Sequence, residues 1–286
     1  MDLILLIVAA ALLAVDFLIA GLYQKGEGNA PVKVFRFNFF IGLFSVIIFF
    51  FINGCRFEFT WFSAIFAVLM TSLAILYTLV GFRVLAAGNT AYYSFFLMTG
   101  GMAVPYVWGL FYLNEAFSWW RMAGLLLIIG SALVIYGDKN KITPKVMLMC
   151  AAIFLLNGGV SVFSKQHAIS EQAVSSSAYV ILTAMVKVVV CGGLLLYFRL
   201  KKKQTAGKIK IKPLGLLAAS ALVSGLSYLL QLNGAASLPA TVVYPIVTGG
   251  SIVFTTLAGW LVLKEKPTKQ LILGVLICFA GTCLFL

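Results

Sequence analysis

Apolar segments of about twenty residues follow one another along the whole chain, and a helix of that length crosses the ~30 Å hydrocarbon layer of a bilayer. Hydrocarbon offers no partner for backbone N–H and C=O groups. A segment inside it must therefore satisfy its own amides, which restricts a chain of this kind to helices. Residues 2–23, 34–54, 60–84, 89–113, 119–137, 145–166, 173–199, 213–236, 239–263 and 268–286 read as ten spans. Of the 286 residues, 62% are hydrophobic and only 10% charged, with a mean hydropathy of +1.07. Soluble domains are about one quarter charged, so this chain cannot present an ordinary water-facing surface. Pro31, Pro144, Pro213, Pro239 and Pro267 stand just before or at expected helix starts, where a missing N–H costs nothing. The first segment has no basic leader and is expected to remain as a span.

The formal charge of +13 suggests nucleic acid until its distribution is read. The densest run, RLKKKQTAGKIKIKP at 199–213, connects two spans. Loops after odd-numbered spans hold 17 of the 21 Lys and Arg, loops after even-numbered spans hold Arg56, Arg121 and Lys165, and Lys187 lies inside a span. Such a bias places the odd loops in the cytoplasm of a multi-pass cell-membrane protein (plasma or inner membrane) and both termini outside. The basic loops are expected to attract anionic lipid headgroups rather than nucleic acid. Cys55, Cys150, Cys191, Cys278 and Cys283 follow no metal-binding or disulfide spacing, and no metal or cofactor is expected.

The chain also repeats itself. Thr99-Gly100-Gly101 answers Thr248-Gly249-Gly250. Gly109 precedes Glu115 by six positions, as Gly259 precedes Glu265, and Gly124 and Gly274 each follow their glutamate by nine. The boundary near 138–143 leaves residues 1–138 and 144–286 as two five-span halves. Five is odd, so the second half starts on the opposite face and the halves are inverted, an arrangement typical of secondary transporters.

On these residues the chain resembles the EamA-type pattern of the drug/metabolite transporter superfamily. The likeness is clearest in AYYSFFLMTGGMAVPYVWGLFYLNEAFSWWRMAGLLLIIGSALVIYG and TVVYPIVTGGSIVFTTLAGWLVLKEKPTKQLILGVLICFAGTCLF. The family's early aromatic-glycine pair is absent, with Ala14 and Val15 in its place. The resemblance implies ten helices around a central cavity and transport of a small organic molecule, without fixing the substrate.

Polar residues in spans turn toward the bundle interior. Span eight carries Ser220, Ser224, Ser227 and Gln231, and span nine carries Thr241, Tyr244, Thr248, Ser251 and Thr255, all at steps of three and four. Span six carries Asn157, Ser161 and Ser164; span seven carries Ser176, Tyr179, Thr183 and Lys187. Such stripes serve either close helix packing or a polar cavity, and Asn157, Gln231 and Tyr244 favour the cavity. Of eight acidic residues only Asp16 falls inside a span. A carboxylate at the bilayer centre costs about 2.5–3.5 kcal/mol on insertion scales. Three roles are open to it: binding a cationic group beside Tyr93 and Tyr244 through cation–π contacts, carrying a coupling proton, or pairing with Lys187.

The expected function is alternating-access transport of a small molecule, cationic or zwitterionic by preference, coupled to a proton or cation gradient. The alternatives are an anionic solute held by Lys187 or Arg83, and a channel or partner subunit. With one histidine, His167, and no cluster of nucleophile, base or metal ligands, an enzyme is not expected.

Overall fold

The computed structural model describes residues 2–27, 30–86, 90–136, 143–201, 211–263 and 268–285. Among them the chain is entirely helical: α1 (Asp2–Glu27), α2 (Pro31–Ile52), α3 (Trp61–Ala86), α4 (Thr90–Phe111), α5 (Trp119–Tyr136), α6 (Pro144–Ala168), α7 (Ser176–Lys201), α8 (Ile211–Ser237), α9 (Ala240–Leu263) and α10 (Lys269–Cys283). Eight of these are long and apolar enough to cross a membrane, while α5 and α10 offer shorter apolar stretches, Trp119–Val134 and Lys269–Cys283. Pro31 and Pro144 are the first residues of α2 and α6, and Thr143 caps α6 by accepting from the Val146 N–H. Pro267, Glu265, residues 202–210 of the basic run and most of the expected repeat boundary lie outside the described residues.

Six helices, α1, α3, α4, α6, α8 and α9, surround the centre, and four flank them in two pairs. The flanking α2 packs on α7 and α5 packs on α10. Inside the ring, α1 packs on α8 and α9, while α6 packs on α3 and α4.

Two expectations about charged residues need correction. Lys165, expected in a loop, belongs to the last turn of α6 and is only 5% exposed. Arg36, also counted with a loop although position 36 falls inside the expected span 34–54, lies in α2 and is 4% exposed. In both cases hydrogen-bond acceptors supplied by neighbouring helices make burial of the cation tolerable. For Arg36 these are Glu27 Oε2 at 2.6 Å and the Tyr23 hydroxyl at 3.3 Å.

The middle of the bundle is held by close approach of α4 and α6. Gly100 faces the backbone of Phe154 with no room for a Cβ between them. Pro105 lies within α4 and has no N–H to donate to the Gly101 carbonyl one turn earlier. Ser161 of α6 supplies the missing donor, its hydroxyl reaching Gly101 O at 3.0 Å. The side chain of Asn157 adds a bond to Leu97 O at 2.7 Å. The polar stripe of α6 thus serves helix packing as well as lining.

Gly100→Ala drives a methyl into backbone that cannot rotate away and is expected to cost about 1–3 kcal/mol, as overpacking does. Gly130→Ala in α5 is the control, since a Cβ there meets nothing within 4 Å. Melting temperatures of the purified proteins check this: Gly100→Ala falls and Gly130→Ala does not.

Candidate functional site

Asp16 lies past the middle of α1 and faces inward. Its carboxylate accepts from the Ser220 hydroxyl of α8. It borders a central cavity of about 340 Å³ to which all six inner helices contribute. Asn157, Ser161, Ser224, Ser227, Gln231, Tyr244 and Thr248 line the same cavity. With Ser164 and Ser251, the structure therefore brings together ten of the residues singled out from sequence. Tyr93 borders a second cavity of about 450 Å³ that shares Asp16, Phe17 and Tyr77 with the first. Lys187 borders a third, of about 310 Å³, which shares Tyr77, Ser224 and Tyr228 with the first. Arg83 is exposed and lines none of these cavities.

The lining groups differ in what they have left to offer a solute. The Ser227 hydroxyl donates to Ala9 O at 2.7 Å and Ser224 to Ser220 O at 2.6 Å. Tyr244 donates to Ser161 O at 2.6 Å, tying α9 to α6. Gln231 and Tyr77, in contrast, make no side-chain hydrogen bond among the described residues. Asp16, Gln231, Tyr77 and Thr248 thus carry unused polar capacity in the chamber, and Ser161, Ser224 and Ser227 stand as a satisfied polar wall.

Sequence reasoning missed Tyr77 and Tyr228. Tyr228 stands four residues after Ser224, so its helical spacing could have found it. Its hydroxyl meets Ser164 Oγ at 3.1 Å and Met70 Sδ at 3.1 Å. Tyr77 borders all three cavities but belongs to no polar stripe noted in its span; only the packing of α3 against the centre identifies it.

The two ends of the chamber differ. The second cavity, with Gly21, Tyr93, Ser94 and Thr255, extends toward the end where α1 and α9 finish and α4 begins. At the opposite end, where α2, α4, α6 and α8 finish, cross-links close the bundle. Lys165 Nζ donates to Ala235 O at 2.6 Å and Leu238 O at 2.7 Å, covering the carbonyl end of α8. Glu115 accepts from the N–H groups of Ala240 at 2.6 Å and Thr241 at 2.8 Å, covering the amide end of α9. Each ionised group sits at the helix end of opposite partial charge, and the two attract one another across the α8–α9 joint. His167 is stacked on Tyr179 with ring centres 3.5 Å apart and bonds to Ser63 Oγ at 2.9 Å, which also accepts from Val174 N–H.

In the first half, the spacing of Gly109 and Glu115 has a physical reason. Glu115 N–H bonds back to Gly109 O at 3.0 Å, and Asn114 takes a left-handed conformation (φ 52°) to make the turn. The carboxylate folds against Gly109, where a Cβ would collide with it, and so reaches α9.

The family model of the EamA-like transporter family matches residues 144–286, half of the chain. None of the curated proteins matches. Among solved structures, the chain is similar to a protein crystal structure with a TM-score of 0.76 and 16% identity, over 98% of this chain and 94% of the other. At that identity the likeness shows the fold alone.

Glu115→Ala removes the cap of α9 and leaves Lys165 without its counter-charge. The expected loss is about 1–3 kcal/mol, the range for charge-assisted bonds to buried groups. Glu115→Gln keeps one acceptor and is expected to lose less. The order of melting temperatures, wild type above Gln above Ala, checks this.

Proposed function

Because the chain belongs to the EamA-like transporter family, we propose that it is a secondary transporter. In this reading it moves a small organic solute bearing a positive charge, cationic or zwitterionic, by alternating access. One observation carries this reading: Asp16, the acidic residue of the chamber lining, borders two joined cavities walled by tyrosines and hydroxyls. A carboxylate at that depth favours a cationic group, and Tyr77, Tyr93 and Tyr244 offer ring faces to it. With the solute gone, the same carboxylate is the place for a coupling proton. Gln231 and Thr248 would orient the remainder of the molecule, with Asn157, Ser161, Ser224 and Ser227 as the polar wall. No covalent step is required, and His167 stays out of the chamber, packed at the closed end.

Ten crossings in two inverted halves, 1–138 and 144–286, complete the proposal. Exchanging each helix for the one five later turns the α1–α8 contact into α6–α3, α1–α9 into α6–α4, and α2–α8 into α7–α3. It leaves α2–α7, α4–α9 and α5–α10 in place. This exchange symmetry supports inverted repeats. The 15 residues of α10 give about 22 Å of helix, short enough to ask for local thinning of the bilayer. In alternating access the Lys165 and Glu115 cross-links would be the contacts that open. The charge bias puts the odd loops in the cytoplasm of a cell membrane, so the described conformation would be open toward the inside.

Two measurements test these readings. In proteoliposomes, Asp16→Asn is expected to reduce saturable uptake of a cationic or zwitterionic substrate at least about tenfold, the worth of one charge-assisted bond, with the melting temperature kept. Uptake equal to wild type at every pH removes Asp16 from the mechanism. For orientation, the exposed Cys55 and Cys283 both lie at the closed end. A membrane-impermeant maleimide added to intact cells should label them; labelling only after the cells are opened reverses the topology.

A further inference from the structure

Lys187 is the second charged group at the centre of the bundle, and the proposed role of Asp16 leaves it unused. It lies 11 residues from the start and 14 from the end of α7 (Ser176–Lys201). That is about 17 and 21 Å of helix, farther than a lysine stem reaches to either interface. Snorkelling therefore does not account for it. Its side chain borders the third cavity and a smaller one of about 90 Å³. Ser45, Thr71 and Thr183 border the third cavity beside it, and Asn38 borders the smaller one. Among the described residues its ammonium makes no hydrogen bond and no ion pair. It feels the charge of Asp16 but stands beyond ion-pair distance from it. A cation at membrane depth ordinarily has a close partner or lines a site.

The third cavity adjoins the first, and Leu13, Tyr77, Val160, Ser224 and Tyr228 border both. Ser224 sits one helical turn from Ser220, the residue that holds Asp16. A solute resting on Tyr77 and Tyr228 therefore has the carboxylate on one side and the ammonium on the other. The two protein charges sum to zero. A simple cation would leave the chamber with net positive charge and Lys187 still unpaired. A simple anion would leave net negative charge and Asp16 unpaired. A dipolar solute pairs both and adds no net charge to a poorly solvated space.

We infer that Lys187 is an anion-binding subsite of the chamber. The solute is then dipolar, of the amino-acid class, with its ammonium on Asp16 and its carboxylate on Lys187. This inference rests on the placement of the cationic group at Asp16 proposed above.

The test uses the purified full chain and measures affinity by calorimetry and thermal shift. The probes are the twenty common amino acids and, for each that binds, the amine lacking its carboxylate. At least one neutral amino acid is expected to bind wild type about tenfold or more tighter than its amine, the worth of one charge-assisted bond. Lys187→Met should remove that advantage without weakening the amine, whose binding the loss of a like charge favours, and Lys187→Arg should restore much of it. The retained amine binding also reports that Lys187→Met has folded. The wild-type comparison of acid and amine stands without any variant. The inference is overturned if no amino acid binds, if amines bind as tightly as amino acids, or if Lys187→Met weakens both alike. If amines then still bind and lose binding in Asp16→Asn, the Asp16 reading survives alone. Binding that Asp16→Asn does not affect removes both.

Discussion

Every backbone polar group that this chain carries into hydrocarbon needs a partner within the protein. That requirement orders the whole structure. It makes the backbone helical, turns the hydroxyls of α6, α8 and α9 inward, and decides how the proline in α4 can exist at all. Pro105 withdraws one backbone donor from the middle of a span. Ser161 of the neighbouring helix replaces it, and Gly100 lets that helix come close enough to do so. A helix break, a small residue and a hydroxyl on another helix thus form one device. The same device places Asn157 and Ser161 at the chamber wall, so lining and packing are not separate roles for them.

The same accounting explains the ends of the bundle. Helix termini leave carbonyls and amides without intrahelical partners. At the end where α8 passes into α9, two ionised side chains from other helices cover them, Lys165 the carbonyls and Glu115 the amides. Burial of these charges depends on four bonds to backbone that exist only while α6 and the α4–α5 turn stay docked on the α8–α9 joint. Such a contact is strong when made and simple to release as a unit. Those are the properties a closed face needs if the protein opens there. At the centre the charges are treated differently. Asp16 and Lys187 border adjoining cavities and keep hydrogen-bonding capacity to spare.

The stripes of Ser, Thr, Asn, Gln and Tyr at helical spacing pointed to a cavity, and Asp16 with nine of those residues does border one. Tyr93 was placed one cavity away from the centre, and Lys187 in another. What the spacing could not express was whether a hydroxyl at the wall is free. Ser227 and Tyr244 look like binding groups in a helical projection, yet both donate to carbonyls of other helices. Lys165 was misplaced for a related reason. A lysine near the end of an apolar run reads as a loop residue, because its two carbonyl acceptors are some 70 positions further along the chain.

The sequence alone determined that the chain is a bundle of apolar helices, where those helices fall to within a few residues, and that its centre is polar. It also displayed the repeated Gly-to-Glu spacing. These are local properties, because the length and periodicity of an apolar helix are written in consecutive residues. Only the tertiary structure decided which polar groups are already satisfied, that the Glu115 side chain serves α9 rather than its own turn, and that Asp16 and Lys187 border adjoining cavities that share Tyr77 and Tyr228. Those facts depend on distances between helices far apart in the chain. Such distances are set by how glycines, prolines and hydroxyls on different helices meet, which no single helix can specify.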